Sequence, residues 1–454
     1  MKKSLLNVCC ISLLLMMGSC GLYKKYESKV TIPTDNYACI KADTTDNLAR
    51  YSWREMFTDP CLQALIDTAL QNNADARTAR LNIEQAEISW KTSRLAYLPT
   101  LAFSPSATVG HYGSSGMGWG FNLGMTASWQ LDIFGAGTTN RMRKAKAAKE
   151  YAKDYDQAVR CQLISSVAQL YYQLLGLQRQ YEIQTEMVGL YEKTYETVET
   201  MYEAGQYTSA AVSQTRAQLE SLKAGLIDLE QAMDDVYHSI GQLLDEPLHY
   251  VPHKTLADIS FPRQLGVGVP ADLLQNRPDV RVAERQIEMA YYDVNISKGA
   301  MYPSITISAA GGWEQTVMSG LADPKMWFVQ GIGSLVQPIF QGGKLRADLK
   351  IKKIDQQIAV LNFRRTVIDA GHEVSEAVHA YHASVQKAPH LEAQVTSLHE
   401  AVDATQELMI NGQATYLEVL TALQDLLKGE LAEAENKAAG AQAMVKLYTA
   451  LGGK

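Results

Sequence analysis

The chain states one structural unit twice. Tyr97-Leu98-Pro99-Thr100-Leu101 is answered by Met301-Tyr302-Pro303-Ser304-Ile305, and Asn73-Ala74-Asp75-Ala76-Arg77 by Arg277-Pro278-Asp279-Val280-Arg281, at the same interval. Ile133-Phe134 and Ile339-Phe340, then Ala204-Gly205-Gln206 and Asn411-Gly412-Gln413, follow at an interval at most about three positions longer. So small a drift marks a duplication, and the 454 residues read as two pseudo-equivalent halves of one body.

Each copy sets a pair of alternating strands between long helices. From Trp119 to Ile133 the odd positions are apolar, among them Phe121, Leu123, Met125, Trp129 and Leu131. The even positions, Gly120 to Asp132, are small or polar. Leu101, Phe103, Ala107 and Val109 keep the same parity before the turn Gly113-Ser114-Ser115-Gly116, and Ile305, Ile307 and Ala309 repeat it in the second copy. A fourth strand runs from Trp327 toward Phe340, where Phe328, Ile332 and Val336 break the parity.

Strands of about 10 residues with one apolar and one small-polar face match transmembrane barrel strands. Tyr112, Trp119, Trp129, Trp313 and Trp327 near strand ends suit interfacial girdles. A soluble sheet with one buried face gives the same alternation, but the small, sparsely charged polar face favours a wet lumen. The smallest membrane barrels have about eight strands, and an open edge leaves unpaired backbone groups in lipid. Four strands per chain therefore predict obligate oligomerisation.

From Gly137 to Tyr202 there is no proline, and Val159, Leu163, Val167, Leu170, Leu174 and Leu177 recur at coiled-coil spacing. A second long helix starts near Gly342-Gly343 and runs to Asn411, with a kink or break expected at Pro389. Each ends at a glycine, Gly205 or Gly412, and leads at once into another helix, over about 208–244 and 415–451. The proline-bearing stretch from Pro247 to Pro270 joins the halves.

Composition removes other classes. A net charge of −7 without a basic cluster leaves no nucleic-acid footprint. Beyond the start there is no apolar run of about 18 residues that would make a membrane helix. The start itself reads as a secretory signal over 1–19: Lys2-Lys3, an apolar stretch from Leu5 to Met17, then Gly18-Ser19-Cys20. Cys20, directly after two small residues, resembles the cysteine of a bacterial lipobox, which implies that it becomes the lipidated first residue; several acyl chains anchor stably where one does not. Cys39, Cys61 and Cys161 remain beyond it; Cys39 and Cys61 can pair in an oxidising compartment or stay as small hydrophobes.

Enzyme and metal motifs are weak. Glu376-x-x-His379, with Asp369, His372, Glu373 and His382 nearby, has the spacing of a helical-bundle metal ligand pair. Its only counterpart, Glu246-x-x-His249, falls in the linker, so a solvated helix face explains it better. No phosphate loop, dinucleotide fingerprint or nucleophile elbow occurs, and neither an enzyme nor a cofactor beyond the lipid on Cys20 is expected. More informative are Glu418 and Asp425, which follow Gly412 on roughly one helix face. If helical hairpins from several copies converge there, carboxylates ring an opening and attract cations.

These residues resemble the TolC-type outer-membrane efflux proteins, lipoprotein branch, over essentially the whole chain. The resemblance is carried by Trp129-Gln-Leu-Asp-Ile-Phe-Gly135, Asn276-Arg-Pro-Asp-Val280, Tyr302-Pro303, Gln337-Pro-Ile-Phe-Gln-Gly-Gly343, Tyr202-Glu-Ala-Gly205 and Ala450-Leu-Gly-Gly453, in order and spacing. It implies an α+β membrane protein with four transmembrane strands and long helical hairpins per protomer. Three protomers would form a 12-stranded barrel and a periplasmic helical tunnel. It further implies a passive exit duct in the outer membrane, served by a periplasmic adaptor and an inner-membrane pump. Glu418 stands at the first acidic aperture position of that family, Thr421 where Asp is frequent, and Met409 where a tyrosine is usual; Tyr202 keeps that tyrosine in the first half.

The resulting organisation is a signal (1–19), a tethered segment (20–61), a helix (62–98), hairpin 1 of the barrel (99–134) and a helical hairpin (135–250). A linker (251–270), a helix (271–301), barrel hairpin 2 (302–340) and a second helical hairpin (341–454) follow. Pro99, Gly135, Pro303, Gly342 and Gly343 mark the junctions between strands and helices. The competing reading is a coiled-coil adaptor or spacer lipoprotein with a soluble sheet and no pore.

Overall fold

The computed structural model describes residues 24–27, 51–111, 117–132, 137–247, 255–256, 259, 277–316 and 327–453. Its elements are α1 (Trp53–Met56), α2 (Pro60–Asn72), α3 (Ala74–Leu95), β1 (Thr100–His111), β2 (Met117–Leu131), α4 (Thr138–Glu203) and α5 (Ser209–Leu244). The second half contributes α6 (Pro278–Gly299), β3 (Ser304–Thr316), β4 (Trp327–Val336), α7 (Lys344–Ile410) and α8 (Tyr416–Ala450). Contacts divide the chain into two compact units, and each takes segments from both halves. The duplication is thus of sequence and of element order, while the packed units are mixed.

The first unit holds the four strands in one antiparallel sheet of order β1-β2-β3-β4. Directly opposite residues lie on one face. Leu101, Phe103 and Val109 of β1 share a face with Phe121, Leu123, Met125 and Trp129 of β2, Ile305, Ile307 and Trp313 of β3, and Trp327, Val329 and Leu335 of β4. Most of that face is open: Leu101 is 71% and Val329 76% exposed. A soluble sheet would bury it. β1 and β4 are the edges of the sheet within one chain.

The strand ends differ from the sequence expectation at two places. β2 stops at Leu131, and Asp132, expected as its last polar-face residue, turns back as a cap. Its two carboxylate oxygens accept from the backbone N–H groups of Gly137 (3.0 Å) and Thr139 (2.7 Å), donors left orphaned at the start of α4. β4 stops at Val336, not near Phe340. Gln337 there donates to the carbonyls of Met301 and Pro338, and Gly342 and Gly343 take positive φ (58° and 78°) before α7 begins. Pro99 and Pro303 each fill the single position between a helix-ending turn and the first strand residue. Ile133, Phe134 and Gly135 lie outside the described residues.

The second unit is helical. Its main core joins Phe57, Leu62 and Ile66 to Tyr171, Leu174 and Leu175 of α4, Ile240 and Leu244 of α5, and Val445 and Tyr448 of α8. Asp59 accepts from Cys61 N–H to cap α2, and its other oxygen accepts the Tyr171 hydroxyl. A separate cluster draws on four helices: Met187 and Tyr191 (α4), Leu219 and Leu222 (α5), Val402 and Met409 (α7), Val419, Leu420 and Leu423 (α8). α7 runs unbroken through Pro389. Of the kink or break expected there, a break does not occur: the proline is exposed, so solvent can satisfy the carbonyl that loses its helical partner.

The repeat has a matching pair of contacts. Asn73 and Arg277 occupy equivalent positions just before α3 and α6. Asn73 Nδ2 donates to the Leu243 carbonyl at 3.1 Å, and Arg277 Nη1 donates to the Ala450 carbonyl at 3.0 Å. Each ties the last turn of a hairpin's return helix to the helix that leads toward a strand pair. Asn73 also caps α3, accepting from Asp75 and Ala76 N–H. Arg277 instead reaches Asp279 and, across the core, Glu373 of α7 at 2.6 Å.

Candidate functional site

The hairpin tips are built alike. α4 ends with Gln206 N–H on the Met201 carbonyl and Gly205 N–H on Tyr202; α7 ends with Gln413 N–H on Leu408 and Gly412 N–H on Met409. This double closure is the Schellman motif, and it requires a left-handed residue. Gly205 (φ 72°) and Gly412 (φ 69°) supply it. The chain then re-enters a helix at Thr208 or Thr415. Thr208 Oγ1 accepts from Ala211 N–H. Thr415 forms a reciprocal box, in which Glu418 accepts from Thr415 N–H at 2.6 Å and from Thr415 Oγ1 at 3.2 Å. The Thr-x-x-Glu spacing announces this cap in the sequence, and only the second copy has it.

Glu418, Thr421 and Asp425 come together along one side of α8. With Leu398 and Ala401 of α7 and Leu417 and Ala422 they line an open groove of about 410 Å³. All three polar residues are exposed. Each also has a local helical partner: Glu418 caps Thr415, Thr421 Oγ1 donates to the Leu417 carbonyl, and Asp425 lies 3.4 Å from Lys428 Nζ. The cation at Lys428 offsets part of the acidic field that Asp425 would project. Tyr202 is not among the groove residues. It is exposed at the other tip, whereas its repeat partner Met409 is 3% exposed within the four-helix cluster.

Two residues between the tips carry no repeat signal. The rings of Tyr207 and Tyr416 meet edge to face at 5.6 Å, and Tyr416 Oη donates to Gln214 Oε1 at 3.2 Å. They tie hairpin 1 to hairpin 2 within one protomer. Farther along α8, Glu430 is buried and lies 2.9 Å from His399 Nε2 of α7. Burial raises its carboxyl above the usual range and the nearby Glu186 adds to the rise; His399 and Arg179 oppose it.

The metal-like spacing on α7 has another explanation. His372, Glu373, Glu376, His379 and His382 lie on the exposed side of the helix, while Val374, Ala377, Val378 and Tyr381 face the core. Glu373 is the partner of Arg277. Among the described residues no group of acidic, His and Cys side chains is placed to hold a metal ion. Cys161 is buried, and burial pushes its thiol up to about 12. Cys20 and Cys39 lie outside the described residues. The segment that follows Cys20 is seen at 24–27, where the Lys24 carbonyl accepts the Tyr291 hydroxyl and Tyr26 packs on the Tyr291 ring at 5.7 Å.

An open apolar sheet face, two unpaired edges and paired helical hairpins closed by glycine turns make a sharply defined combination. It is matched by known proteins. The family model described as outer membrane efflux protein covers residues 65–245 and 269–453. The probable outer membrane lipoprotein SilC of Salmonella typhimurium is 27% identical over 100% of this chain and 99% of its own length. The toluene efflux pump outer membrane protein TtgC of Pseudomonas putida is 27% identical over 100% of this chain and 96% of its own. The open state of the Neisseria gonorrhoeae MtrE outer membrane channel superposes with a TM-score of 0.83 at 25% identity, covering 95% of this chain and 97% of that one. These likenesses favour the channel over the adaptor or spacer reading, and the chain belongs to the outer membrane efflux protein family.

Proposed function

We propose that three copies of the chain close one 12-stranded barrel in the outer membrane, as the exit duct of a tripartite efflux system. A periplasmic adaptor and an inner-membrane pump deliver the cargo, and the duct conducts it passively. The observation that carries this reading is the sheet itself. Four strands with an exposed apolar face and two unpaired edges are unsustainable in lipid until β4 of one copy pairs with β1 of the next. Purified protein in detergent should run as an SDS-resistant trimer and conduct potassium ions in a planar bilayer. A monomer that never conducts, even with adaptor added, would overturn the reading.

Cys20 carries the lipid anchor in this proposal. Intact mass should show acylation that is lost in Cys20→Ala, with the protein still in the outer-membrane fraction because the barrel holds it. Glu418 and Asp425 bias the groove toward cations, and Thr421 weakens that bias relative to an acidic residue. Glu418→Gln should lower the cation preference read from reversal potentials. The amide still reaches Thr415 as a cap, so a change in selectivity without a change in melting temperature isolates the charge.

A further inference from the structure

The face of the sheet opposite the lipid-facing one is small and polar on three strands. β1 presents Thr100, Ala102, Ser104, Ser106 and Thr108; β3 presents Ser304, Thr306, Ser308, Ala310 and Gly312. β4 departs from this. Phe328 stands opposite Gly312, Ile332 opposite Ser308 and Val336 opposite Ser304, which puts all three on the small-polar face, alternating with Gln330 and Ser334. Ile332 is 52% and Val336 58% exposed. The parity break in the sequence is therefore real: a one-residue shift of β4 that returned these side chains to the apolar face would turn Trp327, Val329 and Leu335 off it.

Packing explains only one of them. A Cβ at Gly312 would strike the backbone of β2 at Leu123 and Gly124, so this position must be glycine, and an aromatic opposite it shields the gap. Ile332 and Val336 face serines and have no such task. In a closed barrel the neighbour of β4 is β1 of the next copy. The β1 side chains on this face are too small to cover a phenylalanine or an isoleucine, so the stripe stays open to the lumen. Exposing apolar area to water without burial contributes nothing to stability.

We propose that Phe328, Ile332 and Val336 form an apolar rib inside the barrel that gives the hydrocarbon parts of a permeant a foothold. The duct then favours amphiphilic permeants over purely polar ones of equal charge. The three residues are four apart, or about 13 Å at the rise of a strand, so each rib extends about 26 Å along β4. At a strand tilt of about 35–45° that is about 18–21 Å of height, most of the apolar band of a membrane barrel, about 25 Å. Gln330 and Ser334 between them leave water and hydrogen-bonding groups within reach of the polar end of the same molecule.

The inference rests on the trimeric duct. Its test is block of the potassium current of the full-length trimer in planar bilayers by tetraethyl-, tetrabutyl- and tetrapentylammonium. Affinity should rise at least about tenfold from the first to the last, a small share of what full burial of the added methylenes would provide. Phe328→Ser/Ile332→Ser/Val336→Thr should conduct and lose that dependence, while Leu335→Ser on the lipid face should keep it. In single-cysteine form, Ile332→Cys should react with a charged, membrane-impermeant thiol reagent and Val329→Cys should not. This single substitution tests the rib even where the triple variant fails to fold. A current with no chain-length dependence, or one that the triple variant retains, overturns the rib alone. No current at all overturns the duct and the rib with it.

Discussion

Gly205 and Gly412 show how little a single residue needs in order to matter. Neither has a heavy atom within 4 Å of where a Cβ would sit, so substitution costs only the left-handed backbone. Gly412→Ala should lower stability by about 1–2 kcal/mol, read by thermal unfolding in detergent, with no loss of trimer. Equal stability would mean the tip relaxes. Cys161, its thiol held near 12, should resist maleimide at pH 8 in the native protein and label fully once unfolded. Glu430 makes a signed pH prediction. Its carboxyl is raised in the folded state, so its stabilising contribution is complete below the unfolded value and is lost as pH rises through the folded one. Glu430→Gln should therefore melt higher than the parent at pH 8 and alike at pH 4. A variant that melts lower at pH 8 would show that the contact with His399 outweighs burial.

At the scale of elements, the two copies share a plan and differ in chemistry. The equivalent ties from Asn73 to Leu243 and from Arg277 to Ala450 make the comparison direct. Arg277→Met removes charged hydrogen bonds to Asp279 and Glu373 along with the tie, and should cost about 2 kcal/mol. Asn73→Ala removes a neutral tie and a cap, and should cost about 1 kcal/mol. Urea unfolding of the two variants would settle the order, and the reverse order would refute the equivalence. The tips and strand pairs were legible because glycine turns and period-2 alternation are local patterns. The role of Asp132 was not: alternation placed it on a strand face, and only the path of the chain into α4 makes it a cap. Nor was it legible that Pro389 leaves α7 unbroken, because a proline's penalty depends on whether the freed carbonyl can reach water.

For the molecule as a whole, the lipid-facing assignment makes the strictest demand. Met125→Arg, mid-strand on the apolar face, should cost about 2–4 kcal/mol and deplete assembled trimer from the membrane fraction. Thr126→Arg on the inner face should assemble and shift ion selectivity. Equal assembly of both would contradict the face assignment.

The sequence alone determined that one unit is used twice, that its strands have a lipid-compatible face, and that four strands need further copies. These follow from periodicity and strand count, which any local reading captures. The tertiary structure decided what spacing cannot express. It divided the chain into two units that cut across the duplication. It buried Met409 where Tyr202 is exposed, and it turned Asp132 from a strand face into a cap of α4. It also set Phe328, Ile332 and Val336 against Gly312, Ser308 and Ser304. Burial, capping and cross-strand register depend on partners distant in the chain or on the path between elements, and these exist only once the chain has folded.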